Sequence, residues 1–326
     1  MLILFFGMVS GCSTPESLSV KNKTGGQQVS EKNEPGLALY EGAWDESVQY
    51  ATGARTSTEA EQLADKALQR NNMNKAAAFY ARAIELDKKN ASAGYKLANL
   101  HQQAGNSGQA EQIYRFVLKS TPRHIASLEG AGLILLKQNN IKEARRLLVK
   151  AVAVYHNQTA KERASQSYIP VGAYNGLGQL ADIEGDYQKA QAYYQQGLEQ
   201  EPESPELINN MAYSLYLSGD WRRAEGLLHE ALSIRPRFTR AIYNLALVNI
   251  RARRYDRALE LLERYMEPHE ASNDVGYLAM MAGDEAKAAE LFQNAIDSAP
   301  SYHEAAWRNM DKLKQLGWGT REPENQ

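Results

Sequence analysis

Cysteine is almost missing from this 326-residue chain: Cys12 is the only one. One thiol closes no internal disulfide and builds no cysteine-rich metal site, so the position of Cys12 matters more than its number. Phenylalanine is scarce, at six residues, and β-branched runs are few. Ala, Leu, Gln, Glu and Tyr are plentiful instead, a balance that favours helix over strand. Neither sign of charge dominates. Lys and Arg total 37 against 39 Asp and Glu, a net charge of -2, which excludes the bulk basic field that nucleic-acid binding draws on. The local cluster Arg251-Ala252-Arg253-Arg254 reads as solvated helix ends.

Signatures of chemistry are lacking too. There is no HExxH, Walker A, EF-hand or GxSxG pattern. His101, His124, His156, His229, His269 and His303 form no i, i+4 pair that would suggest a metal; each is expected on the surface or in a turn. The stretch Gly176-Leu177-Gly178-Gln179-Leu180-Ala181 nominally fits GxGxxA, but a dinucleotide loop needs a strand before it and a helix N-terminus after it. Here the glycines fall inside an expected helix. No catalytic residue, metal or cofactor is expected, and no leftover segment is long enough for a catalytic domain, so the chain is read as not an enzyme.

The longest apolar run, Met1 to Val9 (MLILFFGMV), is far short of the roughly 20 residues a spanning helix needs. It suits the h-region of a secretory signal. Val9-Ser10-Gly11-Cys12 then resembles the bacterial lipobox. That resemblance implies a diacylglycerol on the Cys12 sulfur, cleavage before Cys12 and acylation of the new amine. Several chains together anchor stably where one is marginal. Ser13, rather than Asp, by the same resemblance favours the outer membrane, with the folded part on its periplasmic face. Residues 12–56 follow as a polar flexible tether after a signal peptide at 1–11.

Internal repeats are the strongest signal present. A small residue, a large apolar one four positions on and another small one three further on recur down the chain: Ala76, Tyr80 and Ala83; Ala110, Tyr114 and Val117; Ala144, Leu148 and Ala151; Ala190, Tyr194 and Gly197; Ala224, Leu228 and Ala231; a weaker copy in Ala258, Leu262 and Tyr265; and Ala288, Phe292 and Ala295. The leading alanines are spaced by 34, 34, 46, 34, 34 and 30 residues. Five residues before each stands Asn71, Gly105, Asn139, Gly185, Gly219, Arg253 or Gly283, six of seven suited to the left-handed residue that ends a helix. The 34-residue period and this pattern resemble the tetratricopeptide repeat. The fold class implied is all-α: a right-handed superhelical solenoid of about seven helical hairpins with a C-terminal capping helix. Repeats one to three are expected at 57–156, a polar insertion separating two subarrays at 157–170, repeats four to seven at 171–301, the cap at 302–317 and a disordered tail at 318–326.

The first helices of such an array line its peptide groove. By register, the resemblance places Asn175 and Gln179 from repeat four there, Asn209, Asn210, Tyr213 and Tyr216 from repeat five, and Arg240, Tyr243, Asn244 and Leu247 from repeat six. An Asn amide can pair with peptide backbone whatever the side chains, and Tyr adds apolar area with a polar tip. The other reading of these asparagines is that they bridge neighbouring repeats. The lysines of a carboxylate clamp are missing, so recognition of an EEVD-type C-terminus is not expected.

The stretches NNMAYSLYLSGDWRRAEGLLHEAL, RAIYNLALVNIRARRYDRALELLE and SNDVGYLAMMAGD resemble, in that order over roughly residues 205–285, the TadD family. Its members are tetratricopeptide lipoproteins of the tight-adherence (Flp/Tad) pilus system. The resemblance implies a non-catalytic outer-membrane lipoprotein that acts as a periplasmic protein-protein interaction scaffold. Its partners would be pilus or secretin assembly components, and its membrane contact a lipid anchor. Two alternatives stay open: a pilotin-like type IV pilus or type II secretion lipoprotein, and an adaptor recruiting cell-wall hydrolases.

Overall fold

The computed structural model describes residues 53–159 and 168–315. Cys12, the lipobox, nearly all of the expected tether and the tail at 318–326 lie outside the described residues. Every described element is a helix: α1 Ser57–Gln69, α2 Met73–Leu86, α3 Ala91–Gln103, α4 Ser107–Ser120, α5 Ile125–Lys137, α6 Ile141–His156, α7 Val171–Ile183, α8 Tyr187–Leu198, α9 Pro205–Leu217, α10 Trp221–Ile234, α11 Thr239–Arg251, α12 Tyr255–Leu262, α13 Pro268–Met281, α14 Glu285–Ser298 and α15 Glu304–Gln315.

Local chemistry sets each boundary. All seven described residues with positive φ are the seven turn residues named above, from Asn71 (φ 56) to Gly283 (φ 84). Six of the seven turns close with a bond from the third residue past the helix back into its last turns, such as Asn106 N to His101 O at 2.8 Å and Asp220 N to Leu215 O at 2.9 Å. That is the Schellman geometry a left-handed residue permits. The next residue then caps the following helix: the side chains of Asn72, Asp186, Asp220 and Asp284 accept from backbone N–H groups of the first turn.

Arg253 is the exception to the Gly/Asn rule. It holds φ 55 with a full side chain, a conformation that costs an L-residue about 1–2 kcal/mol. Glycine recovers part of this and loses some to unfolded-state entropy. Arg253→Gly is therefore expected to stabilise the fold by about 0.5–1 kcal/mol, read as a higher midpoint in urea unfolding. A lower midpoint would refute the strain argument.

The helices fall into two compact units, one through Glu184 and one from Gly185. In the first, α1 pairs with α2, α3 with α4 and α5 with α6, while α7 packs on α5 and α6. In the second, α8 packs on α9; α9 pairs with α10, α11 with α12 and α13 with α14; α15 packs on α14 and on α13. The division comes one helix after the insertion, because α7 is bound to the hairpin before it. Within each unit the first helices of successive hairpins also touch, forming a continuous layer.

The repeat pattern is the core. Ala76, Tyr80, Ala110, Tyr114, Ala144, Leu148, Ala190, Tyr194, Ala224, Leu228, Ala288 and Phe292 are all buried. Close approach explains the small residues of the first helices: a Cβ at Gly132 would stand 2.7 Å from Leu148 Cδ2. The GxGxxA stretch lies in the middle of α7, where the backbone of Gly176 approaches Leu148.

Three expectations need correction. Tyr265 does not take the third core position of its repeat; α12 stops at Leu262 and Tyr265 is 42% exposed. His101 is buried, at 8% exposure, and burial lowers its pKa. Ala54, assigned to the tether, is buried at 2% and so belongs to the fold.

Candidate functional site

The second unit presents the first-helix layer α9, α11, α13 and α15, where eight of the ten expected groove residues stand. Asn209 and Leu247 are buried, at 2% and 9% exposure. Asn210, Tyr213, Tyr216, Tyr243 and Asn244 are half-buried and Arg240 is exposed. Asn175 and Gln179, half-buried on α7, belong to the first unit.

Polar side chains join each adjacent pair of first helices in this layer. Asn244 Nδ2 on α11 donates to Asn209 Oδ1 on α9 at 2.9 Å, and Asn209 Nδ2 donates to Asn210 Oδ1 at 3.1 Å. The Tyr243 hydroxyl donates to Asp274 Oδ2 on α13. Asn309 Nδ2 on α15 donates to Asn273 Oδ1 on α13 at 2.9 Å. Buried polar groups must find partners, and here neighbouring repeats supply them. Bridging is thus the role the structure assigns to Asn209. Beside this ladder the Tyr213 and Tyr216 rings stack at 6.1 Å and 18°, and Arg251 lies over the Trp221 ring at 5.4 Å. Burial pushes the Tyr216 hydroxyl up, opposed by the nearby Arg251 charge. The surface therefore offers stacked aromatic faces and amide edges, features suited to an extended peptide.

The first unit carries a second cluster that sequence reasoning missed. Glu129 on α5 is only 7% exposed. Its Oε1 accepts from the Tyr168 hydroxyl at 2.7 Å, and its Oε2 from Ala173 N at 2.8 Å. Ala173 lies in the first turn of α7, whose N-cap is Pro170. Proline has no side chain to cap with, so a carboxylate from another helix does so and meets the positive end of the helix dipole. Tyr95 packs edge-on against Tyr168, with centroids 5.8 Å apart; it also contacts Tyr114 and His124. Burial first, then the Glu129 charge, raises the Tyr168 pKa, and burial lowers that of His124. Register could have found Glu129: it stands ten residues before Asn139, as Asn209 stands before Gly219. Tyr168 lies within the insertion expected at 157–170 and has no repeat equivalent to reveal it.

A charged analogue of the ladder ties α3 to α1. Lys96 Nζ lies 2.9 Å from Glu61 Oε1 and from both Asp65 carboxylate oxygens. Burial by itself raises both carboxyls. Donors outweigh it: Ser92, Asn90 and Lys96 on Glu61, and Tyr80 and Lys96 on Asp65 hold both below the usual carboxylate range. Carboxyls lowered in the folded state contribute stability above their unfolded values and lose it as pH falls through their folded values. Acidification below the ordinary carboxylate range should therefore loosen the α1–α3 contact first. Hydrogen exchange read against pH checks this, and Lys96→Met should flatten the dependence. A dependence unchanged in that variant would assign the effect to other groups.

Among the described residues no group of three or more His, Cys, Asp or Glu side chains could hold a metal ion. No described helix is long and apolar enough to cross a membrane.

Comparison with known proteins bears on the repeat itself. Two family models, both described as Tetratricopeptide repeat, match this chain. One covers residues 67–132, 183–230 and 215–278, the other residues 131–205. Together they run from 67 to 278 without a gap. Cellulose synthase operon protein C of Pseudomonas fluorescens (strain SBW25) is 29% identical over 184 residues, 56% of this chain. The alignment spans 14% of that protein's length. A tetratricopeptide repeat protein from Parabacteroides merdae ATCC 43184 superposes with a TM-score of 0.53 at 15% identity, covering 79% of this chain and 98% of its own; this shows a shared fold. A structure described as the functional characterization of Pseudomonas aeruginosa pilF gives 0.49 at 19% identity, covering 82% and 99%.

Proposed function

The chain belongs to the tetratricopeptide-repeat family, and from that premise we propose that it is a non-catalytic protein-interaction scaffold of Flp/Tad pilus assembly, carried on the periplasmic face of the outer membrane by a lipidated Cys12. An array of hairpins offers extended surfaces and needs no reaction chemistry. The observation that carries the pilus reading is the ordered resemblance over roughly residues 205–285 to the TadD family. This stretch includes α9, α11 and α13, which bear the aromatic and amide surface. The match to the cellulose synthase operon protein supports the repeat scaffold alone, since it involves 14% of that protein.

The anchor reading rests on Val9-Ser10-Gly11-Cys12. A tether of polar residues between lipid and repeats lets the array meet partners away from the bilayer.

The test is recovery of partners from detergent-solubilised envelopes on the full chain. Pilus or secretin assembly components should co-purify, and Tyr213→Ala with Tyr216→Ala should release them. Recovery of cell-wall amidases without secretion components would overturn the pilus reading. Separately, Cys12→Ala should leave the outer-membrane fraction; its retention there would sink the lipid anchor while leaving the scaffold reading intact.

A further inference from the structure

The sixth repeat is four residues shorter than its predecessors: Ala258 to Ala288 spans 30 residues where the preceding step, Ala224 to Ala258, spans 34. The loss falls on its second helix. α12 has 8 residues, against 14 in α10 and 14 in α14. Four residues are about one helical turn. Removing that turn leaves a notch between the α10–α11 loop and the α12–α13 loop, a cavity of about 370 Å³.

Its lining is specific. Ile242, 4% exposed, and the half-buried Met266 and Tyr243 form an apolar floor. Arg237 from one loop and Arg264 from the other complete the lining, together with Thr239. The Tyr265 hydroxyl donates to Pro236 O at 2.9 Å and holds the two loops together. This gives a role to the tyrosine that left the core.

What sets the two arginines apart is that they line one cavity. Among the described residues, no hydrogen bond or ion pair engages Arg237 or Arg264. Arg235 and Arg254 of this unit are paired, with Glu206 at 2.5 Å and Glu225 at 3.0 Å, whereas Arg237 and Arg264 share one cavity wall without a counter-charge among its lining residues. Two unpaired guanidinium groups on one cavity attract an anion, and their planar forks suit a carboxylate. A small inorganic anion would leave the apolar floor wet, and a purely apolar ligand would desolvate two cations without compensation. A carboxylate beside an apolar side chain answers both demands.

We propose that the notch left by the shortened second helix of the sixth repeat is a second binding site, which takes an acidic segment of a partner protein, pairing its Asp or Glu with Arg237 and Arg264 and seating a neighbouring apolar side chain on Ile242 and Met266. The site lies where the α10–α11 and α12–α13 loops meet the start of α11; it shares Tyr243 with the first-helix layer but includes neither Tyr213 nor Tyr216, and it does not depend on the pilus reading.

The test is selection of random octapeptides displayed on phage against the full chain and against the Arg237→Glu, Arg264→Glu double variant. The wild type should enrich peptides with Asp or Glu next to a large apolar residue. Synthetic copies should bind more weakly as salt rises and lose roughly tenfold or more in affinity on the double variant. Both positions are exposed, so the variant should keep the wild-type circular dichroism spectrum. Arg237→Lys with Arg264→Lys, which keeps charge without the fork, should bind at an intermediate level and covers the case of a misfolded charge-reversal variant. No acidic enrichment, or equal recovery of the same peptides by the double variant, would overturn the proposal. So would selected peptides displaced by Tyr213→Ala rather than by the arginine changes.

Discussion

Phe292→Ala is expected to cost the second unit about 3–5 kcal/mol, the range for emptying a buried aromatic site. Phe292 is fully buried on α14, at the large-residue position of the last repeat. It shares a cluster with Val275, Leu278, Leu291, Met310 and Leu313, contributed by α13, α14 and α15. Gly276 brings the α13 backbone so close that an added Cβ would stand 2.9 Å from the ring. That backbone cannot collapse further without moving the whole helix, so much of the cavity persists. Repeats couple mainly to nearest neighbours, so the loss should appear as fraying from the C-terminal end. Hydrogen exchange should show α15 and α14 losing protection before α9 and α10, and urea unfolding should begin at a lower denaturant concentration than in the wild type. Phe292→Leu puts there the residue that three other repeats carry, at Leu148, Leu228 and Leu262, and should cost about 1 kcal/mol. A loss below about 1 kcal/mol for the alanine variant would mean that the cap does not rest on this side chain.

Glu129→Ala should destabilise the first unit by about 2–3 kcal/mol. The estimate follows from the asymmetry of hydrogen bonding: deleting one partner leaves a buried donor unsatisfied, which costs more than the bond itself contributed. Two donors are orphaned, the Ala173 N–H and the Tyr168 hydroxyl. Pro170 offers no substitute at the cap of α7. Glu129→Gln keeps an acceptor of the same shape but removes the charge at the helix N-terminus, worth about 0.3–1 kcal/mol, and should fall between wild type and alanine. A double-mutant cycle isolates the pair: Tyr168→Phe should cost about 1 kcal/mol in the wild type and almost nothing once Glu129 is alanine. Additive losses would place Tyr168 outside the interaction.

Both predictions concern the same question, how one repeat holds the next. Phe292 does it by filling space, Glu129 by supplying an acceptor across a hairpin boundary. The Asn209–Asn244, Tyr243–Asp274 and Asn273–Asn309 pairs do it in the second unit, and Lys96 with Glu61 and Asp65 in the first. Residues at equivalent positions of the first helices thus serve cohesion as well as display. Asn244 and Tyr213 remain only half-buried, while Asn209 is wholly inside.

What the sequence by itself determined is whatever repeats and whatever is local. A left-handed turn residue such as Asn139 or Gly219 is legible because a single backbone conformation demands it. The small-large-small spacing from Ala76 to Ala295 is legible because helical geometry brings those positions onto one face, and seven copies reinforce one another. Tertiary structure alone decided which partner each inward polar group meets. Register puts Asn209 and Glu129 on the first-helix layer but does not say that one bonds the next asparagine and the other caps α7. Those outcomes depend on the offset between neighbouring hairpins, which the packing of many side chains sets jointly. The same holds for Tyr265: its place in the pattern suggested core, and only the helix ending at Leu262 turned it outward to bind the Pro236 carbonyl and frame a cavity.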